Sequence, residues 1–373
     1  MTFSRRILLR RFAAGALTSA AITPLDDYPS ASPPPRPIRL DKNENAYGPS
    51  PKATEAMRAS LQLANRYPTV EYEHLAERIA NFHKIKPEQV TLAAGSREIL
   101  RMAVTAYLPP GKNLVLASPT FDAIAHLARL AGVDDVVMVP LNKRYSHDLD
   151  RMLRESDAST GLIYVCNPNN PTGSLTPRKD LELFIGKVPS TAVIVIDEAY
   201  HEYVGGASEY ASFIDHPLDD DRVIVTRTFS KIHGLAGMRL GYAVSSPQRS
   251  RSLSSSKLQW GVNVVAAHAA AAALDDIDFV RLSANRNSND RQEFYNKLNA
   301  RMLRAIDSLT NFVLIKTGLP GTQVVEHFRK NELLLGAPVP QMEKYVRVSI
   351  GSPEDMREFW RVWDLLPAHQ MSM

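Results

Sequence analysis

Seven short apolar runs rich in β-branched residues alternate with helical patterns between residues 90 and 244. Runs that are apolar on both faces are typical of strands buried inside a parallel sheet. The predicted strands span residues 90–93, 114–117, 136–139, 162–165, 193–196, 223–225 and 240–244. Because helical segments separate them, the sequence predicts an α/β fold with one large, mostly parallel seven-stranded sheet.

Apolar residues at three- and four-residue spacing predict helices over 97–107, 121–131 and 178–186. A longer pattern over 252–274, which includes five consecutive alanines, predicts a single helix, and a charged helix follows over 278–301. Short apolar runs and a last helix over 353–366 predict a smaller α+β unit. We expect a large domain over 63–275 and a small domain over 276–373. A segment over 38–62 is expected to begin the small domain.

The first 37 residues differ in composition from the rest. Arginines at positions 5, 6, 10 and 11 precede an apolar stretch of small residues over 13–22, which is too short to span a bilayer. This order predicts a twin-arginine export signal over 1–22, with a disordered basic tail as the alternative. Six prolines between residues 24 and 37 predict an extended linker over 23–37. A periplasmic or exported protein without a stable membrane anchor is expected, and a cytoplasmic one is the alternative.

The charge of the chain is concentrated in that leader. The formal net charge is +4, and the four arginines of the leader account for it. A body of balanced charge lacks the basic face that nucleic-acid binding requires, so no nucleic-acid partner is expected. Cys166 is the single cysteine, which excludes an internal disulfide and a cysteine-based zinc site. No metal is expected.

Polar side chains follow three consecutive predicted strands. Asn170 lies in NPNNPTG after the first, and Asp197 ends the second, with Tyr200 three residues later. The third strand is followed by Thr228, Ser230, Lys231 and Arg239. Taken singly, Asp197 could be a helix cap and each cation could be solvated surface. Because the carboxyl ends of parallel strands share one edge of a sheet, the set predicts a ligand site there.

These motifs resemble those of the class I and II aminotransferases, which are fold-type-I enzymes that use pyridoxal 5′-phosphate (PLP). LDKNENAYGPSP from Leu40, ANRYP around Tyr67 and YVRVSIG around Arg347 are similar to motifs of the histidinol-phosphate aminotransferase subgroup. The resemblance extends from residue 38 to the end of the chain. It implies fold type I, PLP as the cofactor, and a homodimer in which Tyr67 reaches the site of the other subunit.

The resemblance also implies a role for each residue at the predicted site. Lys231 would hold the cofactor as a Schiff base and move the proton during catalysis. Asp197 would pair with the pyridine nitrogen, while Asn170 and Tyr200 would contact the ring hydroxyl. Phe121 would stack on the ring and fix its plane. The implied phosphate contacts are Ser96, Arg97, Thr228, Ser230 and Arg239.

The implied function is a ping-pong transfer of an amino group from an L-amino acid or an amino-alcohol phosphate to a 2-oxo acid. Arg347 would bind the substrate carboxylate through a two-bond fork, with Tyr47 and Asn170 beside the substrate. Gly336 stands where the subgroup usually has another arginine, which argues against histidinol phosphate. A PLP-dependent lyase, decarboxylase or oxidase on the same scaffold remains an alternative, as does a non-catalytic PLP-binding protein.

Overall fold

The computed structural model describes residues 37–367. The predicted export signal, and all of the predicted linker except Pro37, lie outside the described residues. Within them, no helix combines the length and the apolar character that crossing a membrane would require.

The strands and helices of the described residues are as follows. The strands are β1 (Ile38–Leu40), β2 (Val90–Ala93), β3 (Asn113–Ser118), β4 (Val136–Pro140), β5 (Thr160–Cys166), β6 (Val193–Asp197), β7 (Val223–Thr228), β8 (Gly241–Val244), β9 (Arg304–Ile306), β10 (Phe312–Lys316), β11 (Leu333–Leu335) and β12 (Tyr345–Ser349). The helices are α1 (Pro51–Ser60), α2 (Thr69–His83), α3 (Ser96–Tyr107), α4 (Ala123–Leu130), α5 (Leu149–Arg154), α6 (Arg178–Ile185), α7 (Pro247–Ser254), α8 (Val264–Leu274), α9 (Ile277–Ala300), α10 (Gly321–Lys330) and α11 (Pro353–Trp363).

The predicted seven-stranded sheet is confirmed. Its strand order is β2-β8-β7-β6-β5-β3-β4, and β8 alone runs antiparallel to its neighbours. Successive residues of a strand point to opposite faces. In β5, Leu162 and Tyr164 therefore join the apolar cluster under α3 and α4, and Ile163 and Val165 join the one under α6 and α8. Both faces are covered, which explains why these strands read as continuous apolar runs.

The smaller unit contains β12-β10-β9, which is antiparallel, and the parallel pair β1-β11. Leu40 of β1 lies opposite Leu335 and joins a core that includes Phe328, Phe359 and Trp363. The N-terminal segment thus forms part of the small α+β unit, as the fold prediction states. Helix α1, in contrast, packs against α8 beside the large sheet.

The prediction of one helix over residues 252–274 is wrong. Helix α7 ends at Ser254 and α8 begins at Val264. Between them Trp260 has a left-handed backbone with φ of 59°, which does not fit a continuing helix. The Asn263 side chain then caps α8 by accepting a hydrogen bond from the N–H of Ala266. Helical periodicity on both sides of this break concealed it.

Candidate active site

A cavity of about 650 Å³ lies at the carboxyl edge of the large sheet. This volume is within the usual range for small-molecule sites, roughly 300–1,000 Å³. The predicted site residues that line it are Ser96, Arg97, Phe121, Asn170, Asp197, Tyr200, Thr228, Ser230, Lys231, Arg239 and Arg347. Tyr47 and Tyr67 do not line it. The fold therefore brings together residues that are far apart in the sequence.

One corner of the cavity is built for an anion. Helix α3 begins there after Gly95, and its first N–H groups have no partner inside the helix. The guanidinium of Arg239 lies against Gly95, in space that a Cβ atom would occupy. Arg239 Nη1 donates to Ser230 Oγ at 3.3 Å, and Thr228 Oγ1 donates to the same hydroxyl at 2.9 Å. A helix N-terminus, a guanidinium and two hydroxyls fit a phosphate group.

A buried carboxylate lines the cavity. Asp197 ends β6 and accepts hydrogen bonds from Tyr164 Oη at 2.9 Å and from the N–H of Ala199 at 3.1 Å. Burial raises the pKa of Asp197, and these hydrogen bonds oppose that shift. A cationic ring nitrogen beside it would favour the ionised carboxylate.

Tyr164 and Asn43, both within the site, were not among the predicted site residues. Tyr164 lies two residues before the end of β5, on the strand that pairs with β6. Tyr164 lies on the same face of β5 as Cys166, which lines the cavity. This two-residue spacing is the sequence feature from which its place near the site could have been predicted. Asn43 lies in the N-terminal motif, in which Tyr47 is the predicted site residue.

Lys231 supplies the amine of the site. Its Nζ donates hydrogen bonds to the backbone carbonyls of Lys42 at 2.9 Å and Asn43 at 3.0 Å. Desolvation, followed by the positive charge of Arg347, lowers the pKa of Lys231 to about 7. At neutral pH a large fraction of this amine is therefore neutral, which is the form that attacks an aldehyde.

We expect the reactivity of Lys231 in the cofactor-free protein to reach half of its maximum near pH 7. The measurement is trace acetylation with acetic anhydride between pH 5 and 11, followed by mass spectrometry of the Lys231 peptide. Free Nα-acetyl-lysine is the reference, because the pKa of an unperturbed lysine side chain is roughly 10.4. A Lys231 profile that still rises between pH 9 and 10 would contradict the lowered pKa.

Arg347 extends from β12 into the cavity as a cation without a paired carboxylate among the described residues. Its Nη1 donates to Asn170 Oδ1 at 2.6 Å and its Nη2 to the carbonyl of Asp41 at 2.7 Å. Its Nε is buried and has no partner in residues 37–367. A Cβ atom at Gly336 would lie 3.0 Å from this Nε, so position 336 has no room for a side chain unless Arg347 moves.

The two remaining predicted residues lie elsewhere. Tyr47 donates a hydrogen bond to Asp290 Oδ2 at 2.6 Å, and the Arg286 guanidinium lies 5.0 Å from its ring. Desolvation and that carboxylate raise the pKa of Tyr47 to about 12. Tyr67 is exposed, and its ring lies 5.6 Å from that of Trp260. Their assigned roles stay predictions.

The family model described as Aminotransferase class I and II matches residues 35–362. Histidinol-phosphate aminotransferase of Geobacillus thermodenitrificans is 35% identical over 323 residues, which cover 85% of this chain and 86% of that protein. The enzyme of the same name from Bacillus cytotoxicus is 34% identical over 323 residues, with 86% of each chain covered.

Solved structures agree with these relatives. A putative histidinol-phosphate aminotransferase from Erwinia carotovora atroseptica superposes with a TM-score of 0.82 at 31% identity, over 88% of this chain and 94% of that one. Histidinol-phosphate aminotransferase from Sinorhizobium meliloti, in complex with pyridoxal-5'-phosphate, gives 0.81 at 26% identity, over 89% and 90%.

The residues around the cavity fit PLP in three respects. The corner at Gly95 fits its phosphate, the buried carboxylate of Asp197 fits a protonated ring nitrogen, and the Lys231 amine fits its aldehyde. The relatives named above are aminotransferases, which favours amino transfer over the lyase, decarboxylase and oxidase alternatives. The chain therefore belongs to the class I and II aminotransferase family and is a PLP-dependent aminotransferase.

Proposed function

We propose that this aminotransferase accepts an anionic amino donor that Arg347 binds. The observation that carries the proposal is the arginine itself, a half-buried side chain near Lys231 whose buried Nε has no partner among the described residues. Burial lowers the pKa of Arg347, because the charged form is poorly solvated there. A substrate carboxylate would supply the missing counter-ion and accept two parallel hydrogen bonds.

The predicted site residues that line the cavity each have a proposed role in amino transfer. Bound PLP supplies an aldehyde and an electron sink. Asp197 keeps the proton on the ring nitrogen, and Lys231 takes and returns the proton at the substrate Cα. Asn170 and Tyr200 contact the ring hydroxyl, and Phe121 fixes the plane of the ring. Ser96, Arg97, Thr228, Ser230 and Arg239 hold the phosphate.

Two classes of amino donor are candidates. The names of the relatives favour histidinol phosphate. The glycine at position 336 favours a donor with a carboxylate, because the arginine that is usual in the subgroup is absent there and a Cβ atom at 336 would lie 3.0 Å from Arg347 Nε. We propose the amino acid as donor. Single-turnover mixing of the PLP-loaded protein with amino acids and histidinol phosphate, one at a time, identifies the donor by loss of the visible absorbance band. Selective conversion of histidinol phosphate would refute the amino acid proposal.

We expect Arg347→Met to raise the KM for a carboxylate donor roughly 10- to 100-fold, the loss expected for hydrogen bonds to a charged group. The visible band of the bound cofactor should stay near its wild-type intensity. Steady-state kinetics with the donor that the single-turnover experiment identifies provides the measurement. Arg357→Met, which removes an exposed arginine of α11, is the matched control. An unchanged KM in Arg347→Met would remove Arg347 from the substrate site.

We propose a homodimer in which Tyr67 reaches the cavity of the partner subunit. Tyr67 is 75% exposed. Val70, three residues later in the chain, is also exposed, and so is Leu258, two residues before the Trp260 that contacts Tyr67. An exposed aromatic and aliphatic surface of this kind is typical of a protein interface. The molecular mass in solution tests the proposal, and a monomer at micromolar concentration would refute it.

We also propose export by the twin-arginine route. The arginine pair at positions 5 and 6 and the apolar stretch over 13–22, with the small residues Ser19 and Ala21 near its end, support it. A route that carries folded proteins suits an enzyme that acquires its cofactor before export. Cell fractionation of the full chain, beside a variant with Arg5→Lys and Arg6→Lys, tests it. Retention of both proteins in the cytoplasm would refute it.

A further inference from the structure

Asn43, which was not predicted as a site residue, forms hydrogen bonds with both Tyr200 and Lys231. It is 1% exposed and has a left-handed backbone with φ of 54°, which asparagine adopts more readily than most residues. Its N–H donates to Ser349 Oγ at 2.8 Å, and Ser349 Oγ donates to its Oδ1 at 3.1 Å. Asn311 Nδ2 donates to its carbonyl at 3.0 Å. These contacts fix both the backbone and the side chain of Asn43.

The side-chain amide and the backbone carbonyl of Asn43 contact two residues of the active site. Its side-chain Nδ2 donates to Tyr200 Oη at 2.9 Å, and its backbone carbonyl accepts from Lys231 Nζ at 3.0 Å. Because the phenol oxygen accepts this hydrogen bond, its own proton is left for an acceptor inside the cavity. Ser349 lies two residues after Arg347, on the same face of β12. One residue therefore connects the phenol, the amine and the strand that carries the arginine.

We propose that Asn43 is a positioning residue for amino transfer: its amide orients the Tyr200 phenol as a donor to the cofactor, and its carbonyl holds the Lys231 amine whenever that amine is not bonded to the cofactor. The proposal rests on the proposed PLP contacts of Tyr200 and Lys231. Asn43 supplies neither the nucleophile nor the proposed contact to the ring hydroxyl, so it acts through these two side chains.

The proposal makes a specific spectroscopic prediction. Burial raises the pKa of Tyr200, and the hydrogen bond that Asn43 donates to the phenol oxygen opposes this rise. The amide therefore makes the phenol a stronger donor than it would be alone. Without the amide, Tyr200 would stabilise the ring oxygen of bound PLP less well, and the nitrogen that links Lys231 to PLP would keep its proton to higher pH. We expect the pH midpoint of the visible band to rise by roughly 0.5 to 1 unit, the equivalent of one net hydrogen bond.

The experiment is a double-mutant cycle in the PLP-loaded protein. Asn43→Gly removes the amide and keeps a residue that tolerates the left-handed backbone, and Tyr200→Phe removes the phenol oxygen. We expect a raised midpoint in each single variant and no further rise when Asn43→Gly is added to Tyr200→Phe. The kcat of Asn43→Gly should fall roughly 10-fold with little change in KM. The charged groups around Lys231 are the same in all of these variants: Arg347, Glu44, Asp197 and Arg239.

Three outcomes overturn the proposal. The first is an unchanged midpoint in Asn43→Gly, and the second is an equal shift with and without the Tyr200 hydroxyl. If Asn43→Gly does not fold, Ser349→Ala takes its place, because it frees the Asn43 side chain and should raise the midpoint by a smaller amount. No rise in Ser349→Ala is the third. Absence of any visible band in wild-type protein with PLP would instead refute the proposed function.

Discussion

Replacing Lys231 with alanine should reduce amino transfer by at least roughly 10⁴-fold, the upper end of what a positioned base contributes. The loss is large because one side chain supplies both the nucleophile for the aldehyde and the base for the Cα proton. Its desolvated position, with a pKa lowered to about 7, prepares it for both tasks at neutral pH. Single-turnover kinetics with the identified donor provide the measurement.

The same variant should still bind PLP, since the phosphate corner and Asp197 do not depend on Lys231. Dialysis binding should show retention of PLP, with a spectrum closer to that of the free aldehyde. Lys231→Arg separates charge from chemistry, because it keeps a cation but provides no nucleophilic amine. Lys344→Ala, which removes an exposed lysine, is the matched control. Substantial amino transfer by Lys231→Arg would show that the nucleophile is another group.

Replacing Arg227 with methionine should lower the free energy of unfolding by about 3–5 kcal/mol, the usual cost of leaving one partner of a buried ion pair alone. Arg227 is 4% exposed and Glu198 is 1% exposed, and Arg227 Nε donates to Glu198 Oε2 at 2.9 Å. The hydroxyl of Ser212 bridges the two side chains, and the N–H of Phe213 donates to Glu198 Oε1. Removal of the guanidinium leaves a carboxylate buried with only neutral donors close by. Urea unfolding followed by circular dichroism gives the free energy.

This ion pair lies directly behind the active site. Glu198 follows Asp197 at the end of β6, and Arg227 precedes Thr228 at the end of β7. The affinity for PLP should therefore fall together with stability. A double variant with Arg227→Met and Glu198→Met should recover part of the lost stability, because the Glu198 carboxylate is no longer buried without its cation, whereas Glu202 still loses its contact with Arg227. Arg357→Met breaks the exposed pair with Glu354 and should barely move the unfolding midpoint. Equal effects of Arg227→Met and Arg357→Met would contradict the buried-pair argument.

The large sheet and the cavity at its edge were predictable because their signals are local. Each strand of the sheet is apolar on both faces, and the polar residues after β5, β6 and β7 mark the edge where they meet. The pattern does not depend on which strands are neighbours. Asp197, Lys231 and Arg239 could therefore be placed near one another before the strand order was known.

Other features depend on contacts that no local pattern reveals. The ring of Tyr47 lies against α9 because Asp290 accepts its hydroxyl proton, a pairing across more than 200 positions of sequence. The role of Asn43 depends on Ser349 and Tyr200, which lie on separate units of the fold. The helix break before Val264 includes a left-handed backbone conformation at Trp260, which the sequence does not signal because tryptophan has no preference for that conformation.

The parallel pairing of β1 with β11 has a consequence for how the protein is made. Ile38 pairs with Leu333, so β1 cannot form its pairing until the ribosome has synthesised nearly 300 further residues. Contacts this distant in sequence slow folding, because the chain entropy is lost before the contact forms. Asn43 follows β1, and Arg347 lies on β12, which comes after β11 in the chain, so the active site is complete only after most of the polypeptide has emerged. A nascent chain can thus complete its large sheet while it is still catalytically silent.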